Sequence, residues 1–225
     1  MTTFRTIVFW FLWYSQIARL SDILFRNGAI VIAYHRVKYS ADVSNQSGPS
    51  MWVSRELFEW QIRYLRKKFS IKPLRTVESG RSRGVVAITF DDGYREMKKV
   101  GAYLERKDIP YTLFVPGQIR EKNKIFWWDL LWRGISQFLS DVNDFLEPHQ
   151  QISDFERPEK SFESISARIR SGSVKFDEIH FIKFLQSKND RTLLQPHHLS
   201  EREMRALSMN KKCEIGNHTI ATRVS

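Results

Sequence analysis

The chain of 225 residues has one cysteine, Cys213, so it cannot form an internal disulfide. It is therefore not a small secreted scaffold held together by disulfides. The sequence also has no apolar run of roughly 20 residues, which is the length that a helix needs to cross a bilayer. No fixed-period repeat and no low-complexity tract is visible. These absences leave an ordinary globular domain as the expected class.

Signatures of nucleic-acid binding are missing as well, although the formal net charge is +11. The basic residues lie in short clusters, such as residues 63–69 and 79–84, with acidic residues between most of them. There is no zinc-finger spacing, no aromatic RNA-binding signature and no long basic arm. The charge therefore favours solvated helix faces over a nucleic-acid groove, and we expect no nucleic-acid partner.

What the sequence does contain fits a packed core. Apolar residues make up 42% and charged residues 27% of the chain, which are common globular proportions. The 16 Phe, 7 Trp and 7 Tyr residues argue against disorder. The length suffices for one domain with a sizeable core.

The first 27 residues predict an amphipathic helix with Arg5, Arg19 and Arg26 on its polar side. Its apolar stretch is too short to span a membrane, and no small-x-small cleavage site follows it. Two interpretations stay open for this helix: packing on the domain, or lying in a membrane interface as a peripheral contact. The expected location is accordingly cytoplasmic or membrane-peripheral.

The next part of the chain predicts alternating strands and helices. Residues 29–37, 85–90 and 111–115 are compact apolar runs that predict buried strands. Helical periodicity begins near Ser54 and again near Met97. Apolar strands that alternate with helices predict βαβ units and a parallel sheet, hence an α/β fold.

A helical insertion is predicted over residues 120–196, where this alternation stops. Order resumes at Ser200, which forms a capping box with Glu203, and a short strand follows within residues 212–219. Three segments of the insertion are predicted to be helical: residues 124–139, 161–170 and 177–187.

Two adjacent carboxylates, Asp91 and Asp92, close the strand of residues 85–90. Ligands of parallel α/β folds bind at the carboxyl ends of strands, and Gly93 permits a sharp turn there. Such a pair can divide labour, with one group on a metal and the other accepting a proton from water. The alternative is an acidic turn, and the dipeptide alone favours that alternative.

Histidines give weaker signals. His218 also follows a short strand and can share the rim with Asp92, although a lone histidine is more often structural. His35, at an early strand end, either faces the site or caps a core strand, and the two options are evenly balanced. His197 and His198 follow a proline in a loop, and a surface position is expected for both.

Two further residue types have a structural and a functional interpretation. Trp127 and Trp128 could stack on sugar rings, but their spacing favours the core. Cys213 is expected to be buried rather than reactive.

Four motifs occur in order, each at a strand end: YHRV (34–37), ITFDDGY (88–94), IPYTLFV (109–115) and EIGNHT (214–219). This set resembles the polysaccharide deacetylases of the NodB-homology family, carbohydrate esterase family four. The FWWD motif at residues 126–129 is similar to an insertion in bacterial members that act on exopolysaccharides or surface glycans. The resemblance implies an incomplete distorted (β/α) barrel over residues 28–225, with an N-terminal helix and a helical insertion.

The resemblance also implies a reaction. It assigns Asp91 as the general base and Asp92 and His218 as ligands of a divalent metal, zinc in most members, with His35 and Thr219 available to line the site. The metal would polarise an N-acetyl carbonyl and acidify the attacking water. The implied activity is hydrolysis of N-acetyl groups, which are linear amides, on an amino-sugar polymer.

The pattern departs from the family near the end of the chain. Thr222 stands where the family has a second histidine ligand, and the family's later motifs have no counterpart. One hypothesis is a truncated or frameshifted member, which we prefer; the other is a divergent protein that has lost catalysis. The alternative function is accordingly a non-catalytic glycan-binding or remnant protein. An incomplete barrel would expose a strand edge, so we also expect poor solubility or oligomerisation.

Overall fold

The computed structural model describes residues 28–39, 47–48, 51–77, 83–117, 125–145 and 157–218. The helix predicted for residues 1–27 lies outside these ranges, as do Thr219 and Thr222. Those predictions therefore stay predictions. Within the described ranges, no helix combines the length and apolar character that crossing a membrane requires.

The described residues form seven strands and six α-helices. The strands are β1 (Ala29–Tyr34), β2 (Arg36–Lys38), β3 (Trp52–Ser54), β4 (Ser70–Ile71), β5 (Val85–Phe90), β6 (Tyr111–Val115) and β7 (Cys213–Asn217). The helices are α1 (Arg55–Lys68), α2 (Met97–Arg106), α3 (Trp127–Phe145), α4 (Pro158–Arg170), α5 (Glu178–Ser187) and α6 (Glu201–Ser208).

The main sheet is built around β5 and is parallel throughout its described pairings. Its strand order is β1-β5-β6-β7, and the short strand β4 also pairs with β5 at residues 85–86. β2 and β3 form a separate two-stranded sheet. The prediction of an α/β fold with a parallel sheet is confirmed. The short strands β3 and β4 were not predicted, because runs of two or three residues carry too little periodicity.

The single buried strand predicted for residues 29–37 is wrong in two respects. The run divides at His35 into β1 and β2, which belong to different sheets. β1 is also not fully buried, because it pairs only with β5 in the described sheet, and Val31 is 52% exposed. An edge strand of this kind has no neighbouring strand along one of its two edges.

Helices α1 and α2 cover one face of the sheet and form the first hydrophobic cluster with it. Ser54 caps α1 by accepting a hydrogen bond from the backbone N–H of Leu57 at 3.1 Å. Phe58 of α1 then packs against Phe90 of β5, with ring centroids 6.0 Å apart. We call the opposite face of the sheet, which carries Asp91, the inner face.

Helices α3, α4 and α5 form a second hydrophobic cluster of their own. They fall close to the three predicted helical segments, although α3 runs on to Phe145 across a kink at Phe138. Trp127 is buried in this cluster, as expected, whereas Trp128 is half-buried. The capping box of Ser200 and Glu203 is present at the start of α6, and Cys213 is buried.

Candidate active site

Two candidate site residues, Asp91 and His218, directly follow the strands β5 and β7. The backbone N–H of Asp91 donates to the carbonyl oxygen of Tyr34 at 2.8 Å, and that of His218 donates to Val115 at 3.2 Å. Each bond continues its parallel ladder by one residue beyond the strand. Strand alternation therefore turns Asp91 and His218 to the same face at the carboxyl edge of the sheet.

Asp91, His218 and His35 lie in one neighbourhood. The Nε2 atom of His218 is 3.7 Å from Oδ2 of Asp91, and the two side chains are 32% and 18% exposed. Burial lowers the pKa of His35, the charge of Asp91 opposes that shift, and His218 adds to it. The structure therefore brings these predicted residues together in a partly open position. His35 is close enough to Asp91 and His218 for their charges to affect its pKa, and its role in a site stays a prediction.

Asp92 has different surroundings although it is the next residue. Its backbone is left-handed, with φ of 69°, and Gly93 follows with φ of 64°. A non-glycine residue in this region costs about 1–2 kcal/mol, so the surrounding contacts must hold the turn in place. Asp92 is only 4% exposed. Burial raises its pKa to about 7, the charges of Asp129 and Asp91 add to the shift, and Arg36 partly offsets it.

A buried polar network lies on the Asp92 side of the turn. Arg36 makes two hydrogen bonds to the carboxylate of Glu96, at 2.5 and 2.9 Å, and donates a third to the hydroxyl of Ser47 at 2.6 Å. The Ser47 hydroxyl in turn donates to Oδ1 of Asp129. Asp129 is completely buried; burial raises its pKa, and the charges of Arg36 and Arg133 oppose the rise.

Tyr94 connects this network to the turn. Its hydroxyl donates to Oδ2 of Asp129 at 2.9 Å and accepts from Nε1 of Trp128 at 3.1 Å. Its ring stacks on His198 with centroids 4.8 Å apart. The expected surface position of His198 is therefore wrong, because this histidine is 6% exposed between aromatic rings. His197 is half-buried, and burial together with nearby arginines lowers its pKa to about 3.

The sequence did carry one signal for this network. Asp129 is a lone carboxylate in the apolar stretch FWWDLLW, and a buried charge in such a stretch needs partners. The partners were not predictable from that signal, because Arg36 and Ser47 lie more than 80 residues earlier in the chain.

The described residues do not fit a complete metal centre. Among them, no group of three or more His, Cys, Asp and Glu side chains is placed to hold a metal ion. Asp91 lies beside His218, whereas Asp92 faces the side of Asp129 and Arg36. A structural or catalytic zinc site takes at least three protein ligands. The assignment of Asp92 and His218 as ligands therefore stays a prediction.

Comparisons with known proteins give a family match over part of the chain. Residues 78–171 match the family model described as polysaccharide deacetylase. This stretch holds the turn of Asp91 and Asp92 and most of the inserted helices, but not His218. No curated protein matches the chain.

Several solved structures show a distant likeness. A de-N-acetylase from Aggregatibacter actinomycetemcomitans is 14% identical, with a TM-score of 0.43 over 84% of this chain and 54% of its own. The BpsB deacetylase domain from Bordetella bronchiseptica is 13% identical, with a TM-score of 0.37 over 85% of this chain and 53% of its own. IcaB from Ammonifex degensii is 21% identical, with a TM-score of 0.32 over 63% of this chain and 66% of its own. The chain thus spans about half the length of the first two structures.

Proposed function

From the polysaccharide deacetylase match over residues 78–171, we propose that the chain takes part in hydrolysing N-acetyl groups on an amino-sugar polymer. The observation that carries this proposal is the position of Asp91. It ends a strand inside the matched stretch, lies 3.7 Å from His218, and is close enough to His35 to affect its pKa. A carboxylate with imidazoles at the carboxyl edge of a parallel sheet suits general acid–base chemistry.

Asp91 is proposed as the general base. Its carboxylate takes a proton from a water molecule whose oxygen bonds to the acetyl carbonyl carbon. The C–N bond then breaks, acetate leaves, and the amine nitrogen takes up a proton, which the protonated Asp91 returns. His35 lines the site in its neutral form, since burial lowers its pKa.

The resemblance also implies a divalent metal, zinc in most members, with Asp92 and His218 as its ligands. The described residues do not supply a third ligand. Tight binding would therefore need a donor from outside them, and Thr222, at the position of the family's second histidine, is a poor substitute for imidazole.

The first experiment replaces Asp91 by Asn. Acetate release from oligomers of N-acetylglucosamine is expected to fall by about 10²–10⁴-fold, the usual contribution of a general base. The free energy of unfolding is expected to stay unchanged, because Asp91 is not enclosed in a buried network. Asp144→Asn, at an exposed position near the end of α3, is the matched control and keeps full activity. Equal activity of Asp91→Asn and wild type would refute the assignment.

The sequence analysis also raised a non-catalytic glycan-binding protein, and the incomplete ligand set supports keeping that candidate. The two functions separate in one assay series. Wild-type protein that releases no acetate, with or without added zinc, but binds the oligomers in calorimetry is a binding protein. Acetate release that depends on Asp91 identifies the hydrolase.

A further inference from the structure

Tyr94 is a buried residue that the proposed reaction does not use. It follows the turn of Asp91, Asp92 and Gly93 and is 0% exposed. Both hydrogen bonds of its hydroxyl go to α3: one to the carboxylate of Asp129 and one from the indole of Trp128. The end of the turn is thereby tied to the inserted helices.

Both faces of the Tyr94 ring are covered by charged or aromatic groups. The guanidinium carbon of Arg36 lies 4.2 Å from the ring centroid, and the His198 ring is stacked 4.8 Å away. A ring held in this way, with its hydroxyl satisfied twice, has a single low-energy position. Tyr94 therefore acts as a rigid anchor next to the turn.

The turn needs such an anchor because its conformation is strained. Asp92 and Gly93 have consecutive left-handed backbones. The backbone restrains the turn at its ends, where Gly93 accepts from Leu199 at 2.9 Å and Arg95 donates to His197 at 2.8 Å. The side chain of Tyr94 adds a restraint from a different element, α3. Loss of that restraint would let the turn relax and move Asp91 away from the inner face.

We propose that Tyr94 and Asp129 are positioning residues, which hold the turn so that Asp91 faces the acetyl group; this inference rests on the proposed function. The inserted helices then do more than add a second hydrophobic cluster. Through Asp129 at the start of α3, they set the geometry of the catalytic carboxylate. In this role Asp129 reaches Asp91 through Tyr94 and the turn.

The test removes one hydroxyl and keeps the ring. In Tyr94→Phe, kcat for acetate release from N-acetylglucosamine oligomers is expected to fall by roughly ten- to a hundredfold with KM nearly unchanged, as for a small misplacement of a reacting group. The matched control is Tyr34→Phe. Tyr34 is also buried next to β5, but its hydroxyl donates to Gln61 of α1 at 3.0 Å. The control loses a comparable hydrogen bond and is expected to keep wild-type kcat.

A second readout needs no substrate. Amide hydrogen exchange of Asp91, Arg95 and Leu199 is expected to speed up about tenfold in Tyr94→Phe, and that of Leu113 in β6 is expected to stay the same. Tyr34→Phe is expected to leave all of these amides unchanged, because it keeps the backbone carbonyl that accepts from the amide of Asp91. Trp128→Phe, which removes the other hydrogen bond of the Tyr94 hydroxyl, is expected to show the same pattern more weakly.

These measurements test the proposed function and the positioning role of Tyr94 separately. Wild-type protein without acetate release refutes the proposed function, whatever the variants do. Unchanged exchange of Arg95 and Leu199 in Tyr94→Phe refutes the positioning role, whatever the activity. An active wild type whose kcat falls equally in Tyr94→Phe and Tyr34→Phe also refutes it, because the loss is then one of general stability.

Discussion

The two neighbouring carboxylates, Asp91 and Asp92, differ in exposure and in the charged groups around them. Asp91 is partly exposed beside two imidazoles, and Asp92 is 4% exposed on the side of Asp129 and Arg36. A matching pair follows β1: His35 is near Asp91, and the charge of Arg36 lowers the pKa of Asp92. We call Asp91, His35 and His218 the open row. We call Asp92, Arg36 and Asp129 the buried row.

This difference indicates a division of labour. The open row can exchange protons with water, because Asp91 and His218 are partly exposed. The buried row combines two carboxylates, Asp92 and Asp129, with a guanidinium that is 1% exposed. Its groups stabilise one another at the cost of desolvation, so changes there are expected to affect stability before chemistry.

The largest effect is expected for Arg36→Met. This change removes the partner of Glu96 and one of the two cations, Arg36 and Arg133, near the carboxylate of Asp129. Breaking a buried ion pair on one side costs about 3–5 kcal/mol of unfolding free energy, which urea denaturation measures. The matched control is Arg55→Met, which breaks an exposed pair with Glu59 and is expected to change nothing measurable. Equal results for the two variants would contradict the distinction between the rows.

A smaller effect is expected from the titration of Asp92, measured with EDTA present. Its folded pKa of about 7 lies above the usual 3.8, so the folded state holds a proton that the unfolded state has already lost. The contribution of Asp92 to the free energy of unfolding is therefore expected to fall as pH rises from about 4 to 7, by about 2–4 kcal/mol. His197, whose pKa is lowered to about 3, contributes in the opposite direction over the same range, so the contribution of Asp92 is measured as the difference between wild type and Asp92→Asn.

Asp92→Asn is expected to lack this contribution, because it has no proton to lose. Asp91→Asn should leave most of it in place, since burial is the largest cause of the Asp92 shift. Parallel stability profiles for wild type and Asp92→Asn between pH 4 and 8 would show that Asp92 is not the titrating group.

The smallest effect is expected for zinc binding. Zinc is expected to bind weakly, and His218→Ala to weaken it by less than about tenfold, or 1.4 kcal/mol, because fewer than three described ligands converge. Calorimetry measures both affinities. The control is His180→Ala, which removes a surface histidine 2.6 Å from Asp177. A much larger loss in His218→Ala alone would reveal a complete site with ligands from outside the described residues.

Much of the main sheet was predictable because its signals are local. The runs of residues 85–90 and 111–115 became strands with the predicted bounds. A helix begins at Ser54 as predicted, and the predicted capping box of Ser200 is present. The division at His35 was not predicted, because Val37 resumes the β-branched pattern after His35 and Arg36, and only pairing with β3 places the two strands in different sheets. The surface expectation for His198 failed for a similar reason, since its aromatic neighbours come from distant segments.

By itself, the sequence determined that Asp91 and Asp92 end a buried strand at the edge of a parallel sheet, and that His218 ends another. Alternation along a strand and the position of glycine are sufficient for that conclusion. Only the tertiary structure decided which carboxylate meets which partner. A left-handed turn directs Asp92 into a network assembled from Arg36, Asp129 and Tyr94, and contacts across such long stretches of chain leave no local pattern to read.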